Sequence, residues 1–200
     1  MFFAVGAVPF YAEAVGPVAT NLTFAIGAVF FTLAAFIQLA LSGRRPPRRG
    51  TRVADSWDWW AAAVQFVGTL FFNRSTIDAL ITANGADTRV GDGWRPDAVG
   101  SICFLVASAF AVVATTQRFG LWDPRARTWR CTWLNMLGSV FFGLSALGAF
   151  TMPSTGDLVS LFWANVGTFL GALCFLAAAL LSRRTTSPPV TGRRSSFQNV

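Results

Sequence analysis

The chain has 200 residues, 54% of them hydrophobic and only 12% charged, with the apolar residues in blocks rather than stripes. That composition excludes an ordinary water-solvated domain and points to lipid as the solvent. The net charge of +7 rests on sixteen basic residues, all Arg, gathered in short segments between apolar blocks; this is a topology signal rather than a nucleic-acid surface.

Taken in order, the first apolar segment is Met1–Tyr11, too short to span unaided and ended by Pro9 and Glu13. It reads as the second half of a helix, either a genuine half-helix or one whose beginning is missing, and it lacks the pattern of a signal peptide. Asn21–Leu41 is the first full span. Trp57–Phe72 follows, short but with Trp57, Trp59 and Trp60 at headgroup level, and continues through Ser75–Ala83 as a tilted or partly interfacial helix. Asp97–Thr116, Trp133–Phe150 and Leu158–Leu181 complete the set. The expectation is an all-α polytopic membrane protein of about six transmembrane helices, the first short, arranged as hairpins over residues 1–182. Residues 183–200, rich in Arg, Ser and Pro, are expected to form a disordered tail.

Arginine counts set the orientation. The Ser42–Ser56, Gln117–Thr132 and C-terminal segments hold thirteen, and the other side keeps Arg74, Arg89 and Arg95. A multi-pass protein of the cell membrane with a cytoplasmic C-terminus is expected. The Arg-rich loops should also attract anionic lipid headgroups, at about 1 kcal/mol per Arg. The absence of Lys beside abundant Ala, Arg and Gly fits a GC-rich bacterial genome.

A pattern recurs once per span: Gly, a small residue, two residues, then Phe. It stands at Gly6–Phe10, Gly27–Phe31, Gly68–Phe72, Gly100–Phe104 and Gly138–Phe142, with a weaker copy from Gly167 to Gly171. Lipid offers helices no hydrophobic reason to pair, so Gly27, Gly68, Gly100, Gly138, Gly167 and Gly171 are expected to mark close backbone approaches. A polar side chain often stands three residues ahead, as with Gln65, Asp97 and Asn135.

Trp133-Leu134-Asn135-Met136-Leu137-Gly138-Ser139-Val140-Phe141-Phe142, with Asn165 to Phe175 in the last span, resembles the YrhK-like membrane domain. Such a domain is a two-span unit with a Gly-Ser-x-x-Phe core in each helix. The resemblance covers the last third of the chain and implies helical hairpins; the family carries no assigned activity and no defined functional residues. Gly167-Thr168 departs from its Gly-Ser.

No constellation for catalysis is present. Absent His removes the commonest metal and haem ligand and general base, and absent Lys removes Schiff-base chemistry. Cys103, Cys131 and Cys174 form no short-spaced pair, and no cofactor is implied. Arg74 and Asp78 can share a helical face at the outer end of their span, either as a paired site or as boundary markers. Asn135 and Asn165 can bond between helices or line a polar route. The residues fit a structural or accessory membrane protein without enzymatic activity; the alternative is a small-solute or ion transporter or channel. They leave open a homo-oligomer or a membrane-protein partner.

Overall fold

Gly, Pro and the Arg-rich segments interrupt the apolar blocks, and the helices of the computed structural model end at those interruptions. It describes residues 1–42, 46–85, 94–152 and 154–183. The expected disordered tail therefore lies outside the described residues, apart from Arg183 at the end of the last helix. Among the described residues there are six helices: α1 Phe2–Gly6, α2 Pro9–Leu41, α3 Val53–Ala83, α4 Trp94–Phe119, α5 Arg127–Gly148 and α6 Leu161–Arg183. Thr151 and Leu158 form an isolated antiparallel bridge in the α5–α6 connection.

Four of these helices, α2, α4, α5 and α6, are long and apolar enough to cross a membrane, and the chain is a multi-pass integral membrane protein. The more polar α3 carries Asp55, Asp58, Arg74 and Asp78, yet its 31 residues extend about 46 Å at the usual helical rise. It packs against both α2 and α4. By contrast α1, at five residues, covers only about 8 Å.

Several boundaries differ from the sequence reading. Pro9 starts α2 rather than ending a helix, because a proline at the first helical position gives up only an N–H that would be unbonded anyway. The helical run is broken at Gly16 (φ 79°, ψ 171°), a conformation essentially restricted to glycine, and Pro17 restarts it. The break folds Pro9–Val15 back, so that the Tyr11 and Thr23 hydroxyls meet at 2.8 Å. Helix α5 begins at Arg127 rather than Trp133. Helix α6 begins at Leu161, because Leu158 is held in its bridge to Thr151.

The helices form a ring. Each of α2 to α6 packs against its neighbours in sequence, and α1 touches both α2 and α6, closing the circle. Connections α2–α3 and α4–α5 and the end of α6 lie at one end, the Arg-rich end. The interior is built mainly from small residues, such as Ala28, Ala62, Thr69, Ala107, Ala114 and Ser139, while Val29, Phe30, Phe36, Ile37 and Ile102 are exposed on the outside. Small residues inside and large apolar ones outside is the arrangement for helices that pair in lipid.

Candidate functional site

At the centre of the ring stand six phenylalanines in two triangles. Phe3, Phe72 and Phe142, from α1, α3 and α5, form one, with ring centroids 5.5–6.2 Å apart. Phe31, Phe104 and Phe175, from α2, α4 and α6, form the other, at 5.4–6.1 Å. A stacked contact, Phe72–Phe104 at 5.0 Å, and a tilted one, Phe142–Phe175 at 5.7 Å, join the layers. Each hairpin, α1–α2, α3–α4 and α5–α6, thus supplies one ring to each triangle, and the fold is an approximate threefold repeat of one hairpin.

The glycines place these rings. A Cβ on Gly68 would lie 2.9 Å from Cys103 and Phe104, and one on Gly100 would lie 2.5 Å from Phe72. Gly138 and Gly171 face each other's carbonyls at 3.1 Å, beside Phe175 and Phe142, and Gly27 faces the Cβ of Phe2 at 2.7 Å. Gly167 lies against the backbone of Phe141 and Ser145 at 2.6–2.7 Å. For the five axial phenylalanines other than Phe3, the glycine four residues earlier (Gly27, Gly68, Gly100, Gly138 or Gly171) lets the partner helix approach, and the partner's phenylalanine then fills the axis.

This corrects the register at both ends of the chain. Phe10, from the first copy of the pattern, is 78% exposed, and Phe3 takes the axial place. In α6 the axial unit is Gly171-Ala172-Leu173-Cys174-Phe175, while Gly167 serves a second approach one turn earlier. The spacing carried this signal: Phe3, Phe72 and Phe142 are 69 and 70 residues apart, and Phe31, Phe104 and Phe175 are 73 and 71 apart.

Hydroxyl groups link neighbouring helices. Ser108 and Ser139 meet at 2.8 Å, and Thr115 and Thr132 at 2.9 Å, between α4 and α5. Ser145 meets Thr168 at 2.6 Å and donates to the Ala164 carbonyl at 2.7 Å. Asn73 donates to Thr32 between α3 and α2.

The sequence-derived polar candidates are not brought together. Arg74 Nε donates to Asp78 Oδ2 at 2.7 Å, with the Arg side chain 69% exposed and the Asp side chain 9%. The pair lies beyond Phe72, on the side away from the Arg-rich end. Asn165 lies ten residues before Phe175 on that same side, and its side chain makes no hydrogen bond to a described residue. Asn135 lies on the other side, seven residues before Phe142, with the phenylalanine triangles in between.

Asn135 instead borders a cavity of about 660 Å³ in the Arg-rich half of the ring, beneath Phe2 and Phe3 and between α2 and α6. Gln38 and Gln65 also line it, as do Cys131 and Ser182. Gln38 is seven residues after Phe31, Gln65 seven before Phe72 and Asn135 seven before Phe142, which sets all three about 10 Å from the triangles along the helices. None of these three carboxamides bonds to a described residue. A volume in this range is that of a ligand-sized site.

The sequence reading missed one ionic cluster. Arg118, in the last turn of α4, bonds both Asp55 and Asp58 in the first turns of α3. Acidic residues at a helix start facing a cation at a neighbouring helix end are favoured by both helix dipoles, which was the available signal. Cys103, Cys131 and Cys174 are free thiols, and Cys131 donates to the Ala178 carbonyl at 3.5 Å. No family model, curated protein or solved structure matches this chain.

Proposed function

We propose that this is a non-conducting, non-catalytic accessory protein of the cell membrane, with its Arg-rich end in the cytoplasm. The observation that carries the reading is the pair of phenylalanine triangles across the axis. A conducting path needs water or coordinating groups along its length, and here the polar groups on either side are separated by six contacting rings. The lack of His and Lys in the sequence supports the non-catalytic part. The hairpin repeat accords with what the YrhK-like resemblance implies, and the Arg-rich end would hold anionic headgroups.

A second reading, a carrier of small neutral solutes, draws on the unbonded Gln38, Gln65 and Asn135 and requires the triangles to open. Flux in reconstituted vesicles separates the two. We expect proton, potassium and small-polyol leakage equal to that of protein-free vesicles, and leakage above that level would favour the carrier. For orientation, a membrane-impermeant maleimide should label Arg48→Cys only after cells are opened. Labelling in intact cells would reverse the topology.

A further inference from the structure

The α3–α4 and α5–α6 hairpins repeat one plan. Their positions therefore compare by distance from the axial glycines, Gly68 with Gly138 and Gly100 with Gly171. Near the Arg-rich end the two seams are finished differently. In α3–α4, Trp57 stands eleven residues before Gly68 and packs on Phe110, ten after Gly100, with ring centroids 5.0 Å apart. Beyond these rings Arg118 bonds Asp55 and Asp58, so the basic charge on this seam is answered within the chain.

In α5–α6 the same positions hold other chemistry. Arg127 stands in the place of Trp57, Leu181 in that of Phe110, and Thr128 in that of Asp58. With neither ring to close it, the seam keeps a groove of about 340 Å³ lined by Trp129, Arg130, Trp133, Leu134, Leu137 and Leu181. Trp133 and Leu137 are exposed, so the groove opens toward lipid. Arg130 is exposed as well. Among the described residues no acidic side chain pairs with it, with Arg125 or with Arg127. The acid of this connection, Asp123, serves its own turn, where Oδ1 accepts from the Ala126 N–H at 3.2 Å.

Indole rings hold the rim. Trp122, Trp129 and Trp133 form a ladder with centroids 5.1 and 5.8 Å apart. Trp129 Nε1 also donates to the Leu121 carbonyl at 3.0 Å, which fixes the α4–α5 connection against the start of α5. Tryptophan beside arginine marks the headgroup level. From Arg130 to Leu137 is seven residues, about 10 Å along the helix, so the groove descends from that level into hydrocarbon.

We infer that this groove is a binding site for one anionic glycerophospholipid, with its phosphate at Arg130 and an acyl chain along Leu134, Leu137 and Leu181. Charge complementarity names the occupant, because the unanswered arginines call for an anion and the apolar floor for a chain. A soluble anion would leave the floor uncovered, and an apolar partner helix would leave the arginines unanswered. The α3–α4 seam offers neither half of the site, since its groove position is filled by rings and its arginine by carboxylates. The inference deepens, and rests on, the reading that the Arg-rich end holds anionic headgroups, narrowing a diffuse attraction to one seat. Its test reads retention of a single lipid rather than sidedness or flux, so either can fail alone.

The full chain, stripped of lipid in detergent, is titrated with dioleoylphosphatidylglycerol or dioleoylphosphatidylcholine and weighed by native mass spectrometry. One phosphatidylglycerol should bind per chain, about tenfold more tightly than phosphatidylcholine. Arg130→Gln should weaken it about fivefold, the share of one arginine near a headgroup. Leu181→Phe, which restores the ring found at Phe110, should fill the groove and weaken binding about fivefold, as for a methylene or two denied burial. Arg48→Gln removes the same charge from the other Arg-rich connection and should change nothing. Glycerol 3-phosphate at the lipid's concentration should not displace it. Equal binding of the two lipids, or equal weakening by Arg48→Gln and Arg130→Gln, would reduce the site to diffuse charge and overturn the inference. Unchanged binding by Leu181→Phe, or displacement by glycerol 3-phosphate, overturns it too, because the acyl chain would then have no seat in the groove.

Discussion

The α3–α4 and α1–α2 hairpins start from the same Gly-x-x-x-Phe unit and end as different structures. In α3–α4, Gly68 and Gly100 seat the opposing Phe104 and Phe72, and the helices run on together until Arg118 bonds Asp55 and Asp58. In α1–α2 the same central contact forms, with Gly27 against Phe2 and the rings of Phe2 and Phe30 stacked at 5.7 Å. There the pairing stops, and Ala34 and Leu41 remain exposed. The motif therefore fixes the height at which two helices cross, and the rest of the interface depends on matching length and small residues beyond the crossing.

The largest effect should come from the axis of the complete hairpin. Phe104 is 1% exposed and touches Phe31, Phe72, Phe142 and Phe175. Phe104→Ala should cost about 3–5 kcal/mol, the range for a large aromatic side chain removed from a packed core. In the α1–α2 hairpin Phe10→Ala should change stability by less than about 0.5 kcal/mol, as for an exposed residue without special contacts. Unfolding of both variants in detergent checks the contrast; a costly Phe10→Ala would return the axis to the register of the first sequence copy.

Next in size is the α5–α6 approach. A Cβ on Gly167 would meet backbone atoms at 2.6–2.9 Å, which cannot rotate away, whereas one on Gly143 meets only a Leu105 methyl at 3.5 Å. Gly167→Ala should therefore destabilise by about 1–3 kcal/mol, as overpacking does. Gly143→Ala should be neutral or slightly stabilising, since alanine is the better helix former. Equal unfolding of the two would reduce close approach to glycine content.

Much of this was legible in the sequence for a physical reason. Hydrocarbon demands apolar runs of a minimum length, so the four strongly apolar blocks and α3 stand out. Close helix crossings demand glycine, so the packing positions stand out as well. What the sequence hid was register and company. Gly6–Phe10 and Gly171–Phe175 match the pattern equally, and only the 70-residue spacing of the axial phenylalanines tells Phe3 and Phe175 from Phe10. Boundaries at Pro9 and Leu158 depended on a helix start and a bridged loop. The grouping of Gln38, Gln65 and Asn135 around one cavity depends on which helices are neighbours, which no single span reveals. Asn165, grouped with Asn135 by residue type, lies on the far side of the triangles.

The smallest effect belongs to the pair that sequence alone made most prominent. Arg74 and Asp78 do bond, but unequally: the guanidinium is largely exposed, while the carboxylate is almost covered. Removing the acid leaves a cation free to reach headgroups and water, so Asp78→Asn should cost no more than about 1 kcal/mol, as for an exposed pair. Removing the base leaves a covered carboxylate without its partner, and Arg74→Gln should cost more, about 1–3 kcal/mol. The double variant should then resemble Asp78→Asn alone, because no buried charge remains to be stranded. Unfolding the four proteins in detergent gives the coupling energy directly. Equal costs for the two single variants would mean that the carboxylate is as well solvated as the guanidinium, and the pair would then be a marker of the membrane boundary and nothing more.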